Sequence, residues 1–126
     1  MASKKTVILV DDDITILKIG CKALAEFYNV ISLNSGTRLL KMLKATVGTI
    51  HHPDLILLDI DMPEMSGYET MSHIKENEVY KKIPLIFLSG KDGNENELKG
   101  LALGAVDYVA KPFSVDHLLK RIKLHI

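Results

Sequence analysis

At 126 residues the chain is long enough for one domain with its own core, and too short for a catalytic domain plus a separate substrate domain or lid. Apolar residues at 47% and charged residues at 25% are ordinary globular usage, which argues against disorder. Lys plus Arg count 16 and Asp plus Glu count 16, so the formal net charge is zero and excludes both a strongly basic nucleic-acid module and a polybasic membrane binder.

The first element in chain order is Thr6–Val10 (TVILV), a short apolar run stopped by Asp11, Asp12 and Asp13. Ile14, Leu17, Cys21, Leu24 and Tyr28 then recur at three-and-four spacing, one stripe of a helix. Cys21 on that stripe reads as a small buried hydrophobe, and a single cysteine suits a reducing compartment. Asn29–Leu33 is a second strand and Thr37–Lys44 a short helix. Thr46–His52 lacks a pattern and reads as a surface loop; adjacent His51 and His52 are poor joint ligands for one ion. Leu55–Leu58 is a third strand ending at Asp59. Ser66 and Glu69 form a capping-box pair ahead of a helix carrying Met71 and Ile74. Pro84–Leu88 is a fourth strand ending at Ser89-Gly90; Asn94 and Glu97 resemble a second cap, before Leu98, Leu101 and Ala102. Val106–Ala110 is a fifth strand ending at Lys111-Pro112, and Ser114 caps a last helix with Val115, Leu118, Leu119, Ile122 and Ile126 on one face.

Short runs apolar on both faces, alternating with amphipathic helices, predict an α/β fold: one doubly wound, five-stranded parallel sheet with helices on both faces. No apolar run approaches the roughly 20 residues of a membrane span, and the apolar stretch near the N-terminus is short for a signal sequence. The expectation is a single cytoplasmic domain over residues 1–126 that binds neither membrane nor nucleic acid directly.

The polar residues fall where such a sheet binds ligands, beyond the carboxyl ends of its strands. Asp11–Asp13 follow the first strand, Asp59 the third, Ser89 the fourth and Lys111 the fifth. Two carboxylates about 4 Å apart repel by roughly 4 kcal/mol at an effective dielectric near 20. Three together call for counter-charge, and a hard divalent cation such as Mg²⁺ supplies it. A cation beside a lysine and a hydroxyl suits a phosphoryl group, and a carboxylate in the middle can serve as the nucleophile.

These residues resemble a known family. VILVDDD, DLILLDIDMPEMSG, FLSG and DYVAKPF, in that order and each at a strand end, are similar to the motifs of response regulator receiver domains of two-component signalling. The resemblance runs from about Lys5 to the last helix. It implies the flavodoxin-like, chemotaxis-type strand order 2-1-3-4-5. It implies Asp59 as phospho-acceptor, Asp12 as a direct Mg²⁺ ligand, Asp11 helping through water, and the backbone carbonyl of Asp61 as a further ligand. Ser89 would bond the phosphoryl group, Lys111 would pair with the acceptor carboxylate, and Tyr108 stands at the family's switch aromatic. The Lys111-Pro112 peptide bond would be cis. A sensor histidine kinase or phosphotransfer protein would be the donor. An output partner or effector domain would read the face formed by the fourth helix, fifth strand and fifth helix, either on a monomer or through a weak dimer. Two departures stand out: the hydroxyl is serine rather than threonine, and Gly90 follows it where alanine is common.

Two other functions fit the sequence less well. In a haloacid-dehalogenase-type phosphatase the nucleophile motif follows the first strand, whereas Asp59-Ile60-Asp61 follows the third. A degenerate receiver used only for docking lacks an acidic residue or the lysine, and this chain keeps all of them.

Overall fold

The computed structural model describes residues 4–90 and 94–126, and the side chains of all of these except 94–97. Five strands form one sheet: β1 (Thr6–Val10), β2 (Asn29–Leu33), β3 (Leu55–Asp59), β4 (Leu85–Ser89) and β5 (Asp107–Ala110). All pairings are parallel and the order is β2-β1-β3-β4-β5. Among the described residues five α-helices connect and follow them: α1 (Ile14–Leu24), α2 (Gly36–Thr46), α3 (Gly67–Lys75), α4 (Asn94–Ala102) and α5 (Val115–His125).

The continuous apolar runs have a simple cause. Every residue of β1, β3 and β4 is buried, because each strand is covered on both faces. Alternate side chains enter two cores. Ile8, Val10, Ile56, Leu58 and Phe87 meet Leu39 and Leu43 of α2 and Met71 and Ile74 of α3. Val7, Leu9, Leu57, Ile86 and Leu88 meet Leu24 of α1 and Leu118 and Ile122 of α5. Each fully buried aliphatic side chain contributes about 1.5–3 kcal/mol against exposure. The edge strand β2 is only partly covered, as its mixed sequence NVISL requires.

Several boundaries differ from the sequence reading. β4 begins at Leu85, since Pro84 has no N–H; its carbonyl still accepts the Ile56 amide at 3.0 Å. β5 begins at Asp107, although the Val106 amide already reaches the Leu85 carbonyl at 2.9 Å. α1 stops at Leu24, so Tyr28 packs on the second core from the turn beyond the helix rather than from its stripe. Ile14, in the first turn, is 66% exposed and off that stripe, whereas Cys21 is half-buried against the core. Val115 likewise opens α5 exposed. α2 runs from Gly36 to Thr46, longer than Thr37–Lys44, because Ser35 caps it by accepting the Arg38 amide at 3.2 Å. Thr46 is therefore helical and buried, and the loop starts after it. The Asn94–Glu97 cap involves side chains outside those described.

The Ser66–Glu69 capping box is present in both directions, with Glu69 N–H to Ser66 Oγ at 3.1 Å and Ser66 N–H to Glu69 Oε1 at 3.5 Å. No helix among the described residues is long and apolar enough to cross a membrane.

Candidate functional site

The carboxyl ends of β1, β3, β4 and β5 lie side by side, so residues up to 100 positions apart meet there. β1 runs straight into Asp11, which is fully buried, while Asp12 and Asp13 are exposed. Asp13 turns the chain into α1, its carboxylate accepting the Thr15 amide at 2.8 Å and the Ile16 amide at 3.4 Å. Its own amide donates to Asp11 Oδ1 at 2.9 Å, which orients the Asp11 carboxylate. Asp59 ends β3 and is 3% exposed; Ser89 ends β4 and is fully buried. Lys111 follows β5, and its amide donates to the Ser89 carbonyl at 2.7 Å, extending the ladder by one bond.

The Lys111 ammonium bridges two carboxylates: Nζ lies 2.5 Å from Asp11 Oδ2 and 2.8 Å from Asp59 Oδ1. The family resemblance implies the Asp59 pairing and a metal role for Asp11; the bond from Lys111 to Asp11 is an addition that the structure makes. The Lys111–Pro112 peptide bond is cis.

Oxygens of Asp11, Asp12 and Asp59 lie within 4.8 Å of one another, and among the described residues this is the group of side chains suited to a metal ion. His51 and His52 belong to no such group. Three carboxylates against one ammonium leave the cluster at a formal −2 when all are ionised. An all-oxygen donor set with that deficit fits a hard divalent cation such as Mg²⁺. Electrostatics reflect the crowding. Burial, with the Asp11 and Asp12 charges adding to it, pushes the Asp59 carboxyl up to about 6 despite the Lys111 hydrogen bond. Burial by itself would lower Lys111, but its bonds to Asp11 and Asp59 outweigh that and raise it.

Beyond β3 the chain must turn sharply into α3. Glu64 takes a φ of 70°, and the Gly67 amide returns to the Ile60 carbonyl at 2.8 Å. A Cβ at Gly67 would collide with the Asp59 carbonyl oxygen, so only glycine allows α3 to start this close to the site. Asp61 is exposed on this loop, and Tyr108 of β5 is half-buried against the first core. Sequence reasoning passed over Tyr68, the next residue of α3, whose ring sits edge-on to Phe87 of β4 with centroids 5.4 Å apart. An aromatic at that position carries no motif of its own, and only the register of β4 against α3 discloses it.

Known proteins agree with this arrangement. Residues 7–123 match the response regulator receiver domain family. The chain is 42% identical over 125 residues to a probable cyclic di-GMP phosphodiesterase of Vibrio cholerae, covering 98% of this chain and 27% of that protein. It is 37% identical over 117 residues to the cell cycle response regulator CtrA of Brucella ovis, covering 92% and 47%. It thus spans between about a quarter and a half of the length of these curated relatives, and the phosphodiesterase name describes a much longer protein. Among solved structures, the chemotaxis protein CheY4 of Vibrio cholerae superposes with a TM-score of 0.89 at 27% identity, covering 98% of this chain and all of that one. The beryllofluoride-activated DrrB receiver domain superposes at 0.82 with 32% identity, covering 97% of each. With the strand order, the strand-end cluster and these likenesses in agreement, the chain belongs to the receiver domains of response regulators in two-component signalling.

Proposed function

We propose that this domain is a phosphorylation-activated switch whose acceptor is Asp59. The observation that carries the reading is the buried Asp59 carboxylate at the end of β3, held by Lys111 and crowded by Asp11 and Asp12. Lys111 keeps one Asp59 oxygen engaged and so orients the other for attack. In the transfer, a carboxylate oxygen of Asp59 forms a bond to phosphorus as the phosphorus–nitrogen bond of a partner's phosphohistidine breaks, and the imidazole leaves with the electron pair. Asp11, Asp12, Asp59 and the backbone carbonyl of Asp61 would hold Mg²⁺, whose positive charge offsets the anionic charge that gathers there. Lys111 supplies the protein's own share of that charge.

The acyl phosphate carries about one more negative charge than the carboxylate it replaces. Ser89, at the adjacent strand end, would donate a hydrogen bond to it, and Tyr108, opposite Phe87 in the β4–β5 register, would move inward behind the hydroxyl. The α4-β5-α5 surface then changes shape, a two-state shift that a partner or output domain reads, on a monomer or a weak dimer. On this reading residues 1–126 are one signalling domain acting in the cytoplasm. It takes its phosphoryl group from a histidine kinase or phosphotransfer protein and does not turn over small phosphate esters.

The test is acetyl phosphate with Mg²⁺, borohydride trapping and peptide mass spectrometry. The modification should map to the peptide containing Asp59 and vanish in Asp59→Asn. Labelling elsewhere, or sustained hydrolysis of p-nitrophenyl phosphate, overturns the assignment.

A further inference from the structure

Tyr68 lies between the phosphorylation pocket and α4, and its position is set by the pocket's own backbone. The preceding residue, Gly67, is tied to the Ile60 carbonyl, one residue beyond Asp59. The Tyr68 ring meets Phe87 at an interplanar angle of 70°. Burial, with the Tyr108 hydroxyl and the Asp61 carboxylate adding to it, raises the Tyr68 hydroxyl, so both of these residues are its electrostatic neighbours.

From α4, the exposed Lys99 sets its Nζ 4.5 Å from the centroid of the Tyr68 ring, inside the range of a cation–π contact. The next residue, Gly100, lies so near Phe87 that a Cβ would come within 2.8 Å of the ring. One aromatic pair thus carries α4 on top of it: Gly100 rests on Phe87 and Lys99 rests on Tyr68.

We infer that Lys99 and Tyr68 form a latch that holds α4 against α3 in the unphosphorylated arrangement, which makes them positioning residues for the switch. The inference rests on Asp59 being the acceptor and Ser89 and Tyr108 the relay. The mechanical argument is local. Gly100 of α4 is seated on Phe87, two residues before Ser89 on β4, so drawing Ser89 toward Asp59 disturbs the seat of α4. Tyr68 is anchored to the acceptor strand through Gly67 and stays behind. A cation–π contact is short-ranged, so moving α4 relative to α3 gives it up. A contact made in only one of two states shifts the equilibrium toward that state by its own free energy.

The experiment is a beryllofluoride titration of the full chain at saturating Mg²⁺, followed by the amide signals of Ser89, Ala102 and Tyr108. Lys99→Gln, a surface change that leaves the core intact, should reach half-saturation at a concentration about two- to five-fold lower than the native chain. Tyr68→Leu should move the same way. Lys99→Arg and Tyr68→Phe, which keep the cation and the ring, should titrate like the native chain. A Lys99→Gln midpoint equal to or above the native one overturns the latch while leaving the acceptor reading in place. A native chain that shows no response at Ser89 and Tyr108 overturns the acceptor-and-relay reading and the latch with it.

Discussion

At the start of the strands, the Asp54 carboxylate accepts the Thr6 amide at 2.8 Å and the Thr6 carbonyl accepts the Asp54 amide at 2.8 Å. Beside them the Asn29 amide reaches the Lys5 carbonyl at 2.9 Å, and its side chain reaches the Lys4 carbonyl at 3.1 Å. At the other end of the same strands, three carboxylates crowd one ammonium, and one of them is pushed to about 6. The first edge is hydrogen-bonded pair by pair and serves the fold. The second crowds like charges around one buried carboxylate, so the ionised Asp59 works against the folded state unless a cation offsets it. Between the two edges lies an apolar sheet that stabilises both.

That sheet sets the largest expected effect. Leu57 is fully buried in the core facing α1 and α5. Leu57→Ala should cost about 2–5 kcal/mol in urea unfolding, through lost transfer free energy and the cavity left behind. A loss below about 1 kcal/mol would mean that this layer is far less tightly packed than described.

The acidic edge should respond with the opposite sign. Asp59→Asn removes a charge that burial and two neighbouring aspartates oppose. In chelator at pH 7 the variant should be more stable than the native chain by about 1–3 kcal/mol, the upper value corresponding to the full elevation of the carboxyl. Mg²⁺ should narrow the gap, since a ligand that binds only the folded native chain raises its stability by mass action. A destabilised Asp59→Asn in chelator would show that the Lys111 bond outweighs the repulsion.

The same charge gives the metal-free domain a distinctive pH profile. Asp59 titrates near 6 when folded and near 3.8 when unfolded, so between those values the folded state holds the extra proton. Stability therefore falls as pH rises from about 4 to about 6, by up to about 3 kcal/mol from this one group. The difference between native chain and Asp59→Asn isolates it, because the other groups titrate in both. The two curves should converge near pH 4, separate between about pH 4 and pH 6 and run parallel above that; curves parallel over the whole range would contradict the raised carboxyl.

How much of this was legible follows from the kind of signal each residue carries. The strands read well because burial on both faces leaves no choice but continuous apolar runs, as in TVILV, LILLD and LIFLS. The strand-end positions of Asp11, Asp59, Ser89 and Lys111 read well because chain order and strand ends are both visible in a sequence. Pairing geometry was less visible. That Lys111 would hold Asp11 as well as Asp59 depends on β1 and β3 lying side by side at this spacing, which periodicity does not encode. Tyr68 and Lys99 sit on different helices with no spacing rule between them, and only the packing of α3 and α4 over Phe87 joins them. Tyr28 was misplaced for a plainer reason: the three-and-four rhythm continued by chance through a turn after α1 had ended.

The smallest expected effect tests the quieter edge. Asp54 is itself exposed, but Thr6 is buried, so Asp54→Ala takes the partner from an amide that water reaches poorly. The cost should be about 1–2 kcal/mol in urea unfolding, typical of a buried donor left unsatisfied. Asp54→Asn keeps a carbonyl oxygen to accept the same amide and should recover most of it. Both variants should bind Mg²⁺ and take label from acetyl phosphate as the native chain does, because the strands between the two edges are packed too rigidly to pass on a lost hydrogen bond. If Asp54→Ala instead weakened Mg²⁺ binding, the two edges would be coupled through β1 and β3, and the division of labour between them would have to be abandoned.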